Sequence, residues 1–293
     1  SLTGGSGADT LTGGAGADTL TGGAGGDTLT GGSGADDFLY TATTTNTGST
    51  SAKTDTIADF TTKSDEIKAN ITLSGGATFN GVDTGDAATI ADALALMSSK
   101  KGEYAFATGS NQLVMDLDGN GLIQSSDLVI TLDGLTSFDD GDIDFTLTAS
   151  TGNSENDNIT TGDGDDIVVF SGTTGLQDGD IIDLDGGTNK VQLDFSAAAV
   201  TAEIDMDDIA NVLTFESTGT NAGGAGAATL GVTFSAVTET TSQTVTFSAA
   251  SVTDTADNVT ITNNAASATT VFNITGSAGN DTLVGSNGAD TLA

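Results

Sequence analysis

Cysteine, histidine, proline, tryptophan and arginine are all absent from this 293-residue chain. Each absence removes a class of structure or chemistry. Without cysteine there is no disulfide framework, so a secreted chain of this kind must be stapled by other means. Without histidine or cysteine there is no Ser-His-Asp triad, no thiolate nucleophile and no histidine-bound zinc. Positive charge is nearly missing too: six lysines face 41 acidic residues, for a formal charge of -35. Such a chain has no basic patch to displace phosphate counterions, which excludes nucleic acid as a natural partner. No run of about 18 apolar residues marks a membrane span, so no membrane insertion is expected.

What is present is glycine, threonine and aspartate in a strict order. Gly4-Gly5-Ser6-Gly7-Ala8-Asp9-Thr10-Leu11-Thr12 is followed by three more nonapeptides, from Gly13, Gly22 and Gly31, without a slipped residue. The pattern is Gly-Gly-x-Gly-x-Asp-x-apolar-x, with Leu11, Leu20, Leu29 and Phe38 at the apolar eighth position. A flexible linker has no reason to repeat Asp at the sixth place and a large apolar residue at the eighth. Glycine permits tight turns that aim carbonyls inward, and calcium, a hard cation, takes six to eight oxygens. The pattern therefore predicts a calcium-binding parallel β-roll in which two nonapeptides make one coil. Asp9 pairs with Asp27 and Asp18 with Asp36 across adjacent coils. The carbonyls of Gly5, Gly7, Gly14, Gly16, Gly23, Gly25, Gly32 and Gly34 are the accompanying candidate ligands. Bound divalent cations also relieve the self-repulsion of so acidic a chain. The opening at Ser1, part-way through a repeat, suggests a segment of a longer protein.

After the roll come Asp37-Phe38-Leu39-Tyr40, a polar loop over 41–53, then Thr54-Asp55-Thr56-Ile57-Ala58-Asp59-Phe60 and Ser64-Asp65-Glu66-Ile67. This succession, over about residues 1–148, resembles the carboxy-terminal module that follows the β-roll in RTX-type exported proteins. Serralysin-type proteases and Gram-negative S-layer proteins are among them. The resemblance implies calcium binding, type I secretion and an extracellular, cell-surface location.

Periodicity places a helix over Asp86–Lys101, with Ile90, Ala91, Leu94 and Met97 on one face, lysines in its last turn and Gly102 as its cap. Asp116-Leu-Asp118-Gly-Asn120-Gly121-Leu122 through Asp127 fits an EF-hand loop: oxygen donors at positions 1, 3 and 5, the Leu122 carbonyl at 7 and Asp127 at 12. Position 12 is Asp where Glu is usual, and strands are expected on both sides. A second, degenerate roll follows, with Asp157, Asp163 and Asp166 as candidate ligands and Ile159 and Val168 as apolar positions. From about Phe195 to Ile274, Thr/Ser-rich segments with period-two apolars predict strands of a sandwich or an irregular β-solenoid. Two nonapeptides end the chain, with Asp281 and Asp290 at the acidic position. One coil cannot bury Leu283 and Leu292 alone, so this coil is expected to continue, in covalent chain or in a second copy stacked head to tail.

The expected architecture is all-β with one helix: calcium-bound parallel β-rolls alternating with β-sandwich or β-solenoid modules. The expected division is a roll at 1–39, an RTX-associated module at 40–148, a second roll at 149–194, a Thr/Ser-rich β-domain at 195–275 and an incomplete third roll at 276–293. No enzyme is expected, since each clustered Asp that could serve a glycosidase has a calcium explanation. The expected function is a calcium-dependent structural subunit of an extracellular sheet or filament. Its partners would be copies of itself and cell-surface polysaccharide. The alternatives are a secreted adhesin segment or the secretion module of an exported enzyme.

Overall fold

The computed structural model describes residues 1–43, 46–47, 54–73, 78–81, 83–97, 101–123, 127–149, 158–171, 181–194, 199–205, 209–210, 214–218, 229–235, 244–250, 252, 258–263 and 270–293. These residues are strands with a single α-helix. They fall into two compact units: 1–74 with 78–147 and 160–166, and 75–77 with 148–159 and 167–293.

In the first unit the four nonapeptides wind as two parallel stacks. Leu2–Ser6 pairs with Thr19–Ala24, placing Leu2 beside Leu20, and Thr10–Ala15 pairs with Thr28–Ser33, placing Leu11 beside Leu29. One coil is therefore 18 residues, and the eighth positions form columns. Those columns run on into the following segment: Leu20 meets Phe38 and then Ile67, while Leu29 meets Ile57 and then Leu132. Leu20, Leu29, Phe38, Ile57 and Ile67 are fully buried, each contributing about 1.5–3 kcal/mol by its removal from water. Phe60 packs on Phe38 and Phe138, with ring centroids 6.0 and 6.1 Å apart, joining the roll's core to that of the module.

The helix spans Ile90–Leu96, shorter at both ends than the Asp86–Lys101 expected from periodicity. Thr89 is its N-cap, accepting from the Asp92 amide, so the cap's hydrogen bond and not the apolar pattern sets the start. It ends at Met97, in extended backbone, well before Gly102. Lys100 lies outside the described residues. The buried face carries Ala93 and Met97 with Ile90 and Leu94 beside them; Ala91, expected on that face, is exposed. This face packs on Ala105, Val114 and Val129, and so braces the hairpin that carries the acidic loop.

The second unit is a parallel stack throughout its described strands. Ile167–Ser171, Lys190–Asp194, Thr214–Thr218, Thr244–Ser248, Val271–Thr275 and Thr291–Leu292 pair in succession. Val168, Val191, Phe215, Phe247 and Ile274 form its buried column. Ala199–Asp205, Thr229–Ser235, Asn258–Asn263 and Thr282–Leu283 form a second stack. Of the two architectures expected for 195–275, the pairing is that of the solenoid. The final coil is therefore not alone: Leu283 sits beside Ile261, and Leu292 beside Ile274. The Thr/Ser-rich strands beneath it share the register of the repeats.

Candidate metal centres

In the first roll two of the sixth-position aspartates accept, through Oδ1, the backbone N–H of the Asp one coil below: Asp27 from Asp9 at 2.8 Å, and Asp36 from Asp18 at 2.9 Å. The Oδ2 atoms of Asp9, Asp27 and Asp36 are buried and accept no hydrogen bond. Leaving a carboxylate oxygen buried without a partner is costly. The turn glycines leave room around it: a Cβ at Gly22 would lie 2.5 Å from Asp27 Oδ2, and one at Gly31 equally close to Asp36 Oδ2. Gly23 and Gly32 have φ of +99° and +106°, where side chains are strained. Buried, donor-less carboxylate oxygens in side-chain-free cradles fit a divalent cation with oxygen ligands. The turn glycines Gly5, Gly7, Gly14, Gly16, Gly25 and Gly34 stand in those same turns.

The acidic loop is the apex of a hairpin between Gln112–Met115 and Leu128–Leu132, which pair antiparallel. Carboxylate oxygens of Asp116, Asp118 and Asp127 lie within 4.8 Å of one another. Asp116 Oδ1 and Oδ2 accept from the amides of Gly119 and Gly121, each at 2.6 Å, and Asp127 Oδ1 accepts from Leu117 N at 3.0 Å. These bonds fold the chain around the three carboxylates, with Gly119 and Gly121 at positive φ. Burial pushes the Asp116 carboxyl up, and the charge of Asp118 adds to it. Asn120 Oδ1 accepts from Leu122 N at 2.8 Å, and the Leu122 side chain is exposed.

In the second roll's segment, Asp166 Oδ1 accepts from Phe145 N at 2.7 Å, and Asp165 N donates to Asp144 Oδ1 at 2.8 Å. Burial pushes Asp166 up to about 8, with the charges of Asp144 and Asp165 adding to it. Asp163 is exposed, and Asp157 lies outside the described residues.

The last coil differs. Asp281 Oδ1 accepts from Val259 N at 2.8 Å and from Ser277 Oγ at 2.7 Å, while Oδ2 accepts from Ser277 N at 2.7 Å. Asp290 repeats this with Phe272 N at 2.8 Å, Ser286 Oγ at 3.0 Å and Ser286 N at 2.6 Å. Both oxygens of each carboxylate accept from protein donors.

Several acidic residues in the neighbourhood were not among the sequence candidates. Asp55 Oδ1 accepts from Asp27 N at 2.8 Å and Asp65 Oδ1 from Asp36 N at 3.1 Å. Asp59 takes the amides of Gly31 and Gly32 at 2.9 and 2.8 Å. Burial pushes Asp55 up to about 6, with the charge of Asp27 adding to it. Asp142 is pushed up to about 6, also by burial. The signal that could have found Asp55 and Asp65 is Asp-x-Ile, which repeats the Asp-x-apolar end of the nonapeptide.

Among known families, residues 3–38, 151–172 and 273–293 match the RTX calcium-binding nonapeptide repeat, in four copies. No curated protein matches the chain.

Proposed function

From the premise that this is an RTX calcium-binding protein in three of its segments, we propose that it is a calcium-folded structural element of a secreted protein at the cell surface. In this reading Asp9, Asp18, Asp27 and Asp36, with carbonyls of their turns, hold calcium between coils. Asp116, Asp118 and Asp127 hold another ion at the hairpin. The observation that carries it is the set of buried Oδ2 atoms of Asp9, Asp27 and Asp36, which accept no hydrogen bond. Calcium supplies the positive charge that such oxygens lack from the protein.

The chain's own residues set the rest of the mechanism. The ligands converge only when coils stack in register, so binding and folding are one event. Where calcium is scarce the acidic coils repel one another and stay open, which suits export. Outside the cell the ion closes them. Parallel rungs of one register also allow one copy to stack on another, which supports assembly into a sheet or filament.

The test is a titration of the full chain with calcium against magnesium, followed by circular dichroism and light scattering together. Calcium-specific gain of β-structure with growth into ordered assemblies is expected. Folding that stops at a monomer would reject the assembly part, and no spectral response to calcium would reject the whole reading.

A further inference from the structure

A glycine that follows an asparagine leaves its amide nitrogen clear of any side chain. That nitrogen can reach the asparagine Cγ and close a five-membered succinimide. Three such steps occur in the sequence: Asn80-Gly81, Asn120-Gly121 and Asn287-Gly288. The structure treats them differently.

Asn80 ends the strand Thr78–Asn80. Its Nδ2 donates to Glu103 Oε1 at 3.1 Å, and the Gly81 amide donates to the Thr160 carbonyl at 2.8 Å. Both sides of that step are held in place. Asn287 is exposed, and the Gly288 amide donates to the Ser286 hydroxyl at 2.9 Å. A carbonyl is too weak a base to take the amide proton, and a hydroxyl is hardly better.

Asn120 is exposed in the acidic loop, and its setting is reactive. The Gly121 N–H donates to Asp116 Oδ2 at 2.6 Å, within the reach a general base needs. Asn120 Oδ1 accepts the Leu122 N–H at 2.8 Å. A donor there stabilises the charge that gathers on Oδ1 when Cγ becomes tetrahedral. Nucleophile, proton acceptor and oxyanion donor all come from the one loop. Asp118-Gly119 repeats the arrangement, with Gly119 N on Asp116 Oδ1 at 2.6 Å and Asn120 N on Asp118 Oδ1 at 3.1 Å. A carboxylate is a poorer electrophile than a carboxamide, so Asn120 is the reactive member.

We propose that Asn120-Gly121 is a self-modification site, at which the loop converts Asn120 into an acidic residue. The Gly121 amide passes its proton to Asp116 while its nitrogen bonds to Asn120 Cγ. The Cγ–Nδ2 bond breaks, and ammonia leaves with that proton. Water then opens the succinimide at either carbonyl, giving aspartate or isoaspartate. One water is consumed and one ammonia released, with no change of oxidation state. The aspartate product adds a carboxylate to those of Asp116, Asp118 and Asp127, whose oxygens already lie within 4.8 Å of one another. The isoaspartate product lengthens the backbone there by one carbon. The reaction needs no ion, so it stands apart from the calcium reading.

The test ages the full chain at neutral pH in two states, folded as judged by circular dichroism and unfolded in urea. Peptide mapping by mass spectrometry follows each step, and isoaspartyl methyltransferase labelling counts isoaspartate. In urea the three steps should convert at similar rates. In the folded chain Asn80 should stay unconverted, and Asn120 should run about tenfold or more ahead of Asn287. Asp116→Asn keeps an oxygen for the Gly121 amide but cannot take its proton. It should slow Asn120 about tenfold or more and leave Asn287 unchanged. Asp118→Asn should gain conversion at the altered position, because Gly119 meets Asp116 in the same way; this gain does not depend on how well Asp116→Asn folds.

Asn120 converting no faster than Asn287 in the folded chain would overturn the proposal. So would an unchanged Asn120 rate in Asp116→Asn together with no conversion at the altered position in Asp118→Asn.

Discussion

The first roll and the last coil are built from the same nonapeptide, yet they treat its aspartate differently. In the first, the second position is glycine at positive φ, and Asp27 and Asp36 keep a buried Oδ2 without a donor. In the last, that position is Ser277 or Ser286, outside the positive-φ region, and its amide and hydroxyl close the carboxylate. Serine in place of glycine thus accompanies a turn that supplies donors to its own acid. A serine beside a carboxylate is a local hydrogen-bond solution, whereas a glycine turn leaves the oxygen to an external ligand. The comparison separates two settings of one motif: in the first roll Asp27 and Asp36 Oδ2 have no protein donor, and in the last coil both oxygens of Asp281 and Asp290 accept from the protein.

The largest effect that would break this comparison is steric. Gly23→Ala places a Cβ against the Gly5 carbonyl in a backbone conformation with φ of +99°. It should destabilise the calcium-loaded chain by about 2 kcal/mol or more, read by urea unfolding. Ser277→Gly should cost about 1 kcal/mol at most, through its lost hydroxyl bond.

Next comes charge. Asp27→Asn should raise the calcium concentration at the folding midpoint by roughly tenfold, because ligand charge sets affinity. Asp281→Asn should leave that midpoint in place. Equal shifts in the two variants would erase the distinction between the coils.

Proton binding gives a smaller and graded effect. Asp55 and Asp142 sit at about 6, and Asp166 at about 8, all above the ordinary carboxylate value of 3.8. The folded chain then binds more protons than the unfolded one, so metal-free stability falls as pH rises. The proton-linked gain accrues between about pH 8 and pH 4 and is flat below. The melting temperature without calcium should accordingly be higher at pH 5 than at pH 8, and calcium's increment larger at pH 8. A metal-free melting temperature that rises with pH would contradict this trend. The smallest effect is expected from Ser286→Ala: about 1 kcal/mol, with no change in calcium binding.

Much of this was legible because the nonapeptide writes turn, ligand and core position into fixed places. Leu20, Leu29 and Phe38 are in the column that their spacing required, and the 18-residue coil follows from two repeats per turn. Other features were not. Alternation over 195–275 identifies strands but not their partners, so sandwich and solenoid read alike until Phe215 is seen beside Phe247. The helix was overextended because apolar spacing continues past the point where Thr89 caps it. Asp55 and Asp65 escaped because their distance from the repeats broke the period while the register did not. The serine bonds to Asp281 and Asp290 were not legible either, because the nonapeptide leaves its second position open and only the structure brings Ser277 and Ser286 onto the carboxylates.

The most direct measurement is amide hydrogen exchange on the full chain with calcium and after chelation. On chelation, Thr10–Ala15, Thr19–Ala24 and Thr28–Ser33 should lose their protection, while Val271–Thr275, Thr282–Leu283 and Thr291–Leu292 retain most of theirs. Equal loss in both regions, or retention in the first roll, would contradict the account.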